Sequence, residues 1–285
     1  MKGAVKDVAL NIFHIYRNTP LGRETLLQAA DFTKKVGGTL NVYVPEFDRL
    51  LLHFGPNAIE IRLDKSYLFA PESSEKKLKE NLDAIGVKAD RVSIKSQPAS
   101  NLPRLSSNFD IVSLPRVMVE QQGRLNLAAV GSGVRQLVKH SHAPAIIAPG
   151  RFHDWSDILV LFGGSAYSVA ALKWGVELAK QTTLPLRVLT IVEKGKGRED
   201  YEMILRKEVG DGTAASQCKF MESSTKTSLL DEIERSSLVV MGAYGHGQIR
   251  SRFFGSTTEL VQRNTANLIM LIGQNCRLPD INRRS

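Results

Sequence analysis

Several features that define common protein classes are scarce or missing in this chain of 285 residues. The two cysteines, Cys218 and Cys276, lie far apart and form no CxxC pair, which excludes a disulfide framework and a cysteine-based zinc site. No hydrophobic run approaches the ~18 residues of a membrane span, and the opening MKGAVKDVAL lacks an apolar signal core. We therefore expect a reduced, cytoplasmic protein without membrane contact.

Two phosphate-binding fingerprints are also missing, as is any long run of basic residues. Neither GxxxxGK[ST] nor GxGxxG occurs, which excludes a P-loop and a dinucleotide-binding Rossmann motif. The net charge is +9. Because this excess is spread along the chain, it favours a generally basic surface over a nucleic-acid or acidic-lipid interface.

What the sequence does contain is an alternation of short apolar runs and helical patterns. At about 150 residues per domain, the length favours two domains or one large α/β unit. Alternation of this kind predicts a parallel sheet with helices on both faces. In the second half we predict strands over 157–162, 186–192, 216–221, 238–241 and 267–272, with helices over 167–181, 199–209, 225–236 and 257–264.

The first half repeats this order. Its ending, GSGVRQLVKHSHAPAIIAPG, aligns without a gap on GSTTELVQRNTANLIMLIGQ when Gly131 is placed on Gly255. We interpret this as a tandem duplication, with domains 1–150 and 151–285. A section specific to the first half, 45–71, is long for a connection and predicts a hairpin or a lid. The remaining predictions there are strands over 8–13, 39–44, 91–95, 111–114 and 144–148, and helices over 20–36, 75–85, 101–107 and 134–141.

The stretch 241–260, MGAYGHGQIRSRFFGSTTEL, joins a predicted strand to a predicted helix. Its glycines Gly242, Gly245 and Gly255 let the backbone approach an anion, and a helix N-terminus offers unpaired N–H groups to phosphate. Ser256 and Glu259 also fit a capping box, in which case Ser256 only caps the helix. Spacing alone leaves both interpretations open.

Other candidate sites are weaker. His140 and His142 form H-x-H without a neighbouring ligand, so we predict no metal site. Trp155 and Trp174 fit packing better than base stacking. Near the glycines the one candidate general base is His246, which permits slow hydrolysis at most, so no catalytic residue and no dedicated enzyme is predicted.

The pattern G-x2-G-x9-G-[ST] after an apolar strand, here Gly242, Gly245, Gly255 and Ser256, resembles the nucleotide motif of the universal stress protein family. The second half is similar over 157–274; the first is similar in element order and in Gly131-Ser132 only. The resemblance implies a tandem member with two open, parallel five-stranded sheets of Rossmann-like type, paired as a homodimer or as a pseudo-dimer within one chain. It also implies a role in stress response or signalling.

The ligand that the resemblance implies is ATP or another adenine nucleotide, ADP or AMP, with or without Mg²⁺. Adenine would lie near Val192, at the end of the second strand. The family's first-strand Asp is Gly163 here, and a glycine side chain accepts no hydrogen bond. Phosphate and ribose contacts would fall to one set of loop residues: Gly242, Gly245, His246, Gly247, Gly255, Ser256 and Thr257.

The first half departs from the motif. Its equivalent stretch reads SLPRVMVEQQGRLNLAAVGSG, in which Pro115 and Arg116 to Met118 obstruct a close backbone approach. We therefore predict a nucleotide in the second half only. The alternatives are a structural or interaction protein of the same fold that acts by dimerising without nucleotide, and a weak ATPase.

Overall fold

The structure of the chain is a computed structural model. It describes residues 9–54, 57–68, 71–92, 104–106, 108–116, 118, 130–193, 195–210, 218–222, 228–244 and 254–279.

Ten strands of the described part of the chain form one sheet, in which the first half contributes β8-β7-β1-β2-β5 and the second half β11-β10-β9-β12-β13. Pairing is parallel within each half. The first-half strands are β1 (Asn11–Ile15), β2 (Thr39–Tyr43), β5 (Ala89–Arg91), β7 (Ile111–Pro115) and β8 (Ala145–Ala148). The second-half strands are β9 (Asp157–Leu161), β10 (Leu186–Val192), β11 (Cys218–Glu222), β12 (Ser237–Gly242) and β13 (Ile269–Ile272).

The two predicted five-stranded sheets are joined edge to edge. Strand β13 pairs antiparallel with β8, and Met270 stands opposite Ile146. These two residues are equivalent in the gapless alignment, because each follows its reference glycine, Gly131 or Gly255, by fifteen positions. From each outer edge of the sheet to this pair, the five strands of a half therefore come in the same order: third, second, first, fourth and fifth along the chain. The two halves are thus arranged symmetrically about the Met270–Ile146 pair.

Helices cover both faces of the sheet, as the α/β pattern predicts. One buried cluster lies beneath α1, α2, α4 and α5, and the other beneath α3, α6 and α7. Their bounds are α1 (Pro20–Lys35), α2 (Pro71–Ile85), α3 (Ser132–His140), α4 (Ala166–Thr182), α5 (Arg198–Val209), α6 (Ser228–Asp231) and α7 (Ser256–Asn264). Among the described residues no helix combines the length and the apolar character needed to cross a membrane.

The segment specific to the first half contains a hairpin, one of the two predicted forms. Strands β3 (Arg49–Phe54) and β4 (Asn57–Arg62) pair antiparallel, and a 3-10 turn over Lys65–Tyr67 follows. Strand β6 (Arg104–Ser106) adds to β3 in parallel. The predicted helix over 101–107 is therefore wrong in its described part, because pairing to β3 outweighs the local propensity.

The segment between the halves is held against α1. The Trp155 ring is buried and stacks on Phe32 at 5.8 Å between centroids. Lys35 Nζ donates to the Trp155 carbonyl at 2.8 Å, and the Gln28 amide exchanges two hydrogen bonds with the His153 backbone. Trp155 therefore has the packing role that the sequence predicts.

Candidate functional site

The candidate residues of the second half lie where three neighbouring strands end. Gly163 follows β9 by two residues, Val192 is the last residue of β10, and Gly242 is the last residue of β12. Strands β10, β9 and β12 are adjacent and parallel. Their carboxyl ends therefore share one edge of the sheet, where ligands of parallel α/β proteins bind.

Two hydrogen bonds bring the start of α7 to the end of β12. The Gly255 N–H donates to the Ala243 carbonyl at 3.0 Å, and Thr258 Oγ1 donates to the Gly242 carbonyl at 3.1 Å. The first and third glycines of the motif, with Ser256 and Thr257, are thereby brought together. Gly245, His246 and Gly247 lie outside the described residues.

The capping-box interpretation of this helix start is wrong. The N-cap is Gly255, with φ −60° and ψ 153°, and it provides no side-chain cap; Ser256 is already the first helical residue. Glu259 turns away to Arg135, whose Nη1 lies 2.9 Å from Glu259 Oε1. Because the N-cap is a glycine, no N-cap side chain occupies the place where a helix N-terminus binds anions.

Gly242 has a packing reason to be glycine. A Cβ built on it would lie 2.8 Å from the Tyr167 Cβ and 3.0 Å from the Tyr167 carbonyl carbon, in the first turn of α4. Atoms cannot approach that closely without a shift of the helix. The missing side chain at this position is thus explained by the contact of α4 with β12, independently of any ligand.

Gly163 and Gly164 differ in what surrounds them. Among the described residues, a Cβ built on Gly163 would have no atom within 4 Å, whereas one on Gly164, at φ +73°, would meet the Tyr201 ring. Ser165 is the N-cap of α4, and its Oγ accepts from the Ser168 N–H at 3.2 Å. The Gly-Gly-Ser segment therefore turns the chain into α4 and leaves room at the position of the family's Asp.

Val192 forms the side of this edge nearest β11. It pairs with Glu222 and is partly buried against the cluster beneath α4 and α5. The next residue, Glu193, donates its N–H to the Tyr201 hydroxyl at 3.1 Å. The contact of Val192 with adenine stays a prediction.

Three aromatic residues, Tyr167, Tyr244 and Phe254, line the same edge of the sheet, and the sequence patterns did not reveal them. The Tyr244 ring lies 6.0 Å from Tyr167 and 5.9 Å from Phe254, between centroids. Burial raises the pKa of the Tyr244 phenol, and Tyr167 raises it further. These rings offer a neutral, stacking surface between the start of α4 and the start of α7. Tyr244, which lies inside the glycine motif, was the signal in the sequence that could have indicated this surface.

In the first half, the position of Gly163 is occupied by a buried arginine. Arg17 follows β1 by two residues, as Gly163 follows β9. Its Nε donates to Ser66 Oγ at 2.5 Å, its Nη2 lies 3.4 Å from Asp64 Oδ2, and its guanidinium lies 5.2 Å from the Tyr67 ring centroid. The turn after the hairpin therefore fills this corner of the first half.

The two halves also differ at the end of their fourth sheet strand, β7 in the first half and β12 in the second: the first half has larger side chains where the second has glycine. Pro115 pairs with Ala148 as Gly242 pairs with Ile272. Arg116 is buried, donates to the Gln262 carbonyl, and reaches the Thr265 carbonyl at 2.9 Å, at the end of α7. Met118 is buried as well. The side chains predicted to obstruct this place are packed into the protein, except Val117, which lies outside the described residues.

A separate cleft of about 890 Å³ lies at the starts of β1 and β7, against α4 and the segment Arg277–Pro279. None of the described residues proposed to contact a nucleotide lines it, whereas His142 and Trp174 do. Within the described part of the chain, no three His, Cys, Asp or Glu side chains are gathered as a metal site requires.

Comparison with known proteins gives one sequence relative and several structures. No family model matches the chain. The chain is 24% identical over 176 residues to universal stress protein Slr1230 of Synechocystis. That match covers 58% of this chain and 58% of the relative, so it spans less than two thirds of the relative's length.

Several solved structures share the fold over nearly the whole chain. A universal stress protein from Archaeoglobus fulgidus is 18% identical, with a TM-score of 0.61, and the alignment covers 93% of this chain and 98% of that one. The cytoplasmic domain of a prokaryotic cation chloride cotransporter is 10% identical, with a TM-score of 0.50, and covers 95% and 98%. The sequence match confirms the resemblance to universal stress proteins, and the chain has the universal stress protein fold.

Proposed function

We propose that the second half binds an adenine nucleotide, ATP, ADP or AMP, at the carboxyl ends of β9, β10 and β12. The observation that carries this proposal is the junction of β12 and α7. There the Gly255 N–H and the Thr258 hydroxyl bond to the Ala243 and Gly242 carbonyls, and α7 begins without a side-chain cap. A helix start of this kind suits phosphate, and among the described residues no atom fills the place of a side chain at Gly163, which leaves room for the nucleoside.

Within this proposal the first half binds no nucleotide. Arg17 and the turn at Asp64–Tyr67 fill the corner that is open at Gly163, and Pro115 replaces Gly242. The first half instead pairs with the second through β8 and β13, in place of a second chain. The protein would act as a cytoplasmic, nucleotide-responsive module in stress response or signalling, with slow hydrolysis at most.

Mass spectrometry of the small molecules released on denaturation, together with thermal denaturation with and without ATP, tests the proposal. We expect purified protein, denatured and filtered, to release ATP, ADP or AMP, and added ATP to raise the melting temperature. The double variant S256A/T257A should lose both effects, because it removes two donors at the start of α7. The matched control is S132A, at the first position of α3. Wild-type protein that releases no nucleotide and shows no shift would contradict the proposal.

A second candidate function is a regulatory or interaction domain without nucleotide. It is favoured by Gly163, which removes an expected hydrogen-bond acceptor, and by the likeness to the cytoplasmic domain of a cotransporter. The distinguishing observation is a stable complex with a protein partner that forms equally well with and without ATP. The weak-ATPase alternative requires phosphate release that disappears in H246A.

A further inference from the structure

Arg135 comes from the first half, yet its side chain lies against the start of α7. Its Nη1 lies 2.9 Å from Glu259 Oε1, and its guanidinium carbon lies 5.5 Å from the Phe254 ring centroid. Its Nε donates to the Val130 carbonyl at 2.8 Å, which fixes the guanidinium group on the first-half side. Phe254 immediately precedes the N-cap of α7, and Glu259 lies in the first turn of the helix. Arg135 therefore contacts residues on both sides of the N-cap.

Glu259 is the group that this contact controls. It lies in the first turn of α7, and helical side chains lean toward the N-terminus of their helix. A carboxylate in that position is drawn to the positive end of the helix dipole. It would compete with a phosphate for this end of the helix and repel it. The exposed fractions of Arg135 and Glu259, 16% and 17%, mean that water screens this charge only in part.

We propose that Arg135 is a positioning residue that sets nucleotide affinity in the second half by holding and neutralising the Glu259 carboxylate. This inference rests on the proposed nucleotide site. It gives the first half a part in binding although its own equivalent site is filled. Arg263 also lies near Glu259, at 3.6 Å from Oε2, but its side chain is 60% exposed, so it is the weaker partner.

The test is a double-mutant cycle read out as ATP affinity by isothermal titration calorimetry. R135Q should weaken ATP binding about tenfold, because the carboxylate is released toward the phosphate position. E259Q should bind as well as wild type or more tightly. R135Q/E259Q should bind like E259Q, because without the carboxylate Arg135 has nothing to neutralise.

Variants R135K and R135K/E259Q extend the cycle if R135Q does not fold. Lysine keeps the charge but not the fork of donors, so R135K should lie between wild type and R135Q in affinity. Melting temperatures are recorded for every variant.

The outcomes separate the two proposals. ATP binding to wild type with unchanged affinity in R135Q and R135K would overturn the role of Arg135 alone. A loss in R135Q that persists at full size in R135Q/E259Q would also overturn it, since Arg135 would then act on the phosphate directly. Wild-type protein that binds no ATP would overturn the nucleotide site, and this inference with it.

Discussion

At the scale of single residues, the two halves differ at the second position after their first strand. Arg17 is buried and bonded there in the first half, whereas in the second half Gly163 has no side chain, and no described atom fills the place of its Cβ. The turn after the first-half hairpin thus fills the place beside Arg17, whereas the equivalent place in the second half has no side chain at Gly163. The spare room at Gly163 makes this position the most direct place to alter affinity.

We expect G163D to increase ATP affinity about tenfold. A carboxylate here supplies the hydrogen-bond acceptor that glycine lacks, and a hydrogen bond to a charged group contributes about 1.5–3 kcal/mol. The matched control is G163A, which fills the same space without an acceptor and should leave affinity unchanged. Calorimetric titration measures both. Equal affinities for G163D and G163A would show that the nucleoside does not lie beside this residue.

A second residue-scale expectation concerns pH. His14 is fully buried in β1, with Nδ1 3.3 Å from Ser113 Oγ, and burial lowers the pKa of His14 to about 4. The unfolded chain takes up this proton near pH 6.5 and the folded chain near pH 4. The free energy of unfolding should therefore fall by about 3 kcal/mol as pH falls between these values.

Urea titrations at pH 7, 5.5 and 4.5 measure this slope. H14Q should remove most of the His14 contribution, whereas H140Q, at a half-buried histidine, should leave most of the slope in place. A slope unchanged in H14Q would mean that another group titrates.

At the scale of elements, the contact between α4 and β12 holds the site edge together. Gly242 permits this contact because no larger residue fits beneath Tyr167. The same contact places the Tyr167 ring beside Tyr244. Packing of two elements and the lining of the candidate site therefore depend on one position.

We expect G242A to lower the free energy of unfolding by about 1–3 kcal/mol, the usual cost of overpacking. The reason is the 2.8 Å approach of a new Cβ to the Tyr167 Cβ. G163A is again the control, because its Cβ meets no atom of the described residues within 4 Å and should change stability little. Chemical denaturation compares the two, and equal stabilities would contradict the packing explanation for Gly242.

The order of elements could be predicted from the sequence because buried strands and amphipathic helices have distinct periods. Strand β10 begins and ends where the pattern places it, and α4 and α5 begin within a residue of theirs. The helix over 101–107 failed because its neighbour β3 lies far away in the sequence. A short pattern carries no information about such a partner.

The candidate site was predictable only in part, for the same reason. The glycine motif is local, so Gly242, Gly255 and Ser256 could be found from spacing. Contacts such as Arg17 with Asp64, or Arg135 with Glu259, join residues far apart in the chain, and single-sequence patterns do not reveal them. The N-cap is Gly255 instead of Ser256, and the Glu259 side chain bonds to Arg135, a residue far away in the sequence.

At the scale of the whole molecule, the two halves meet around the pair Ile146 and Met270. Arg135 and Glu259 are also equivalent in the alignment, since each follows its reference glycine, Gly131 or Gly255, by four positions. Two identical halves would place like charges together here. The opposite charges therefore favour pairing of the first half with the second over pairing of either half with itself.

We expect the charge reversal R135E to lower the free energy of unfolding by about 2 kcal/mol, because it sets two carboxylates against each other in a mostly buried place. The swapped pair R135E/E259R should recover most of this loss. Thermal and chemical denaturation measure both variants. A double variant no more stable than R135E would show that the charges are not coupled across the joint.

The measurement that most directly tests the nucleotide site is the stoichiometry of ATP binding to nucleotide-free, full-length protein by calorimetric titration. We expect one ATP per chain, lost in S256A/T257A and kept in S132A. Two ATP molecules per chain would contradict the closed first half. No binding, in protein shown to be folded by its melting curve, would contradict the site itself.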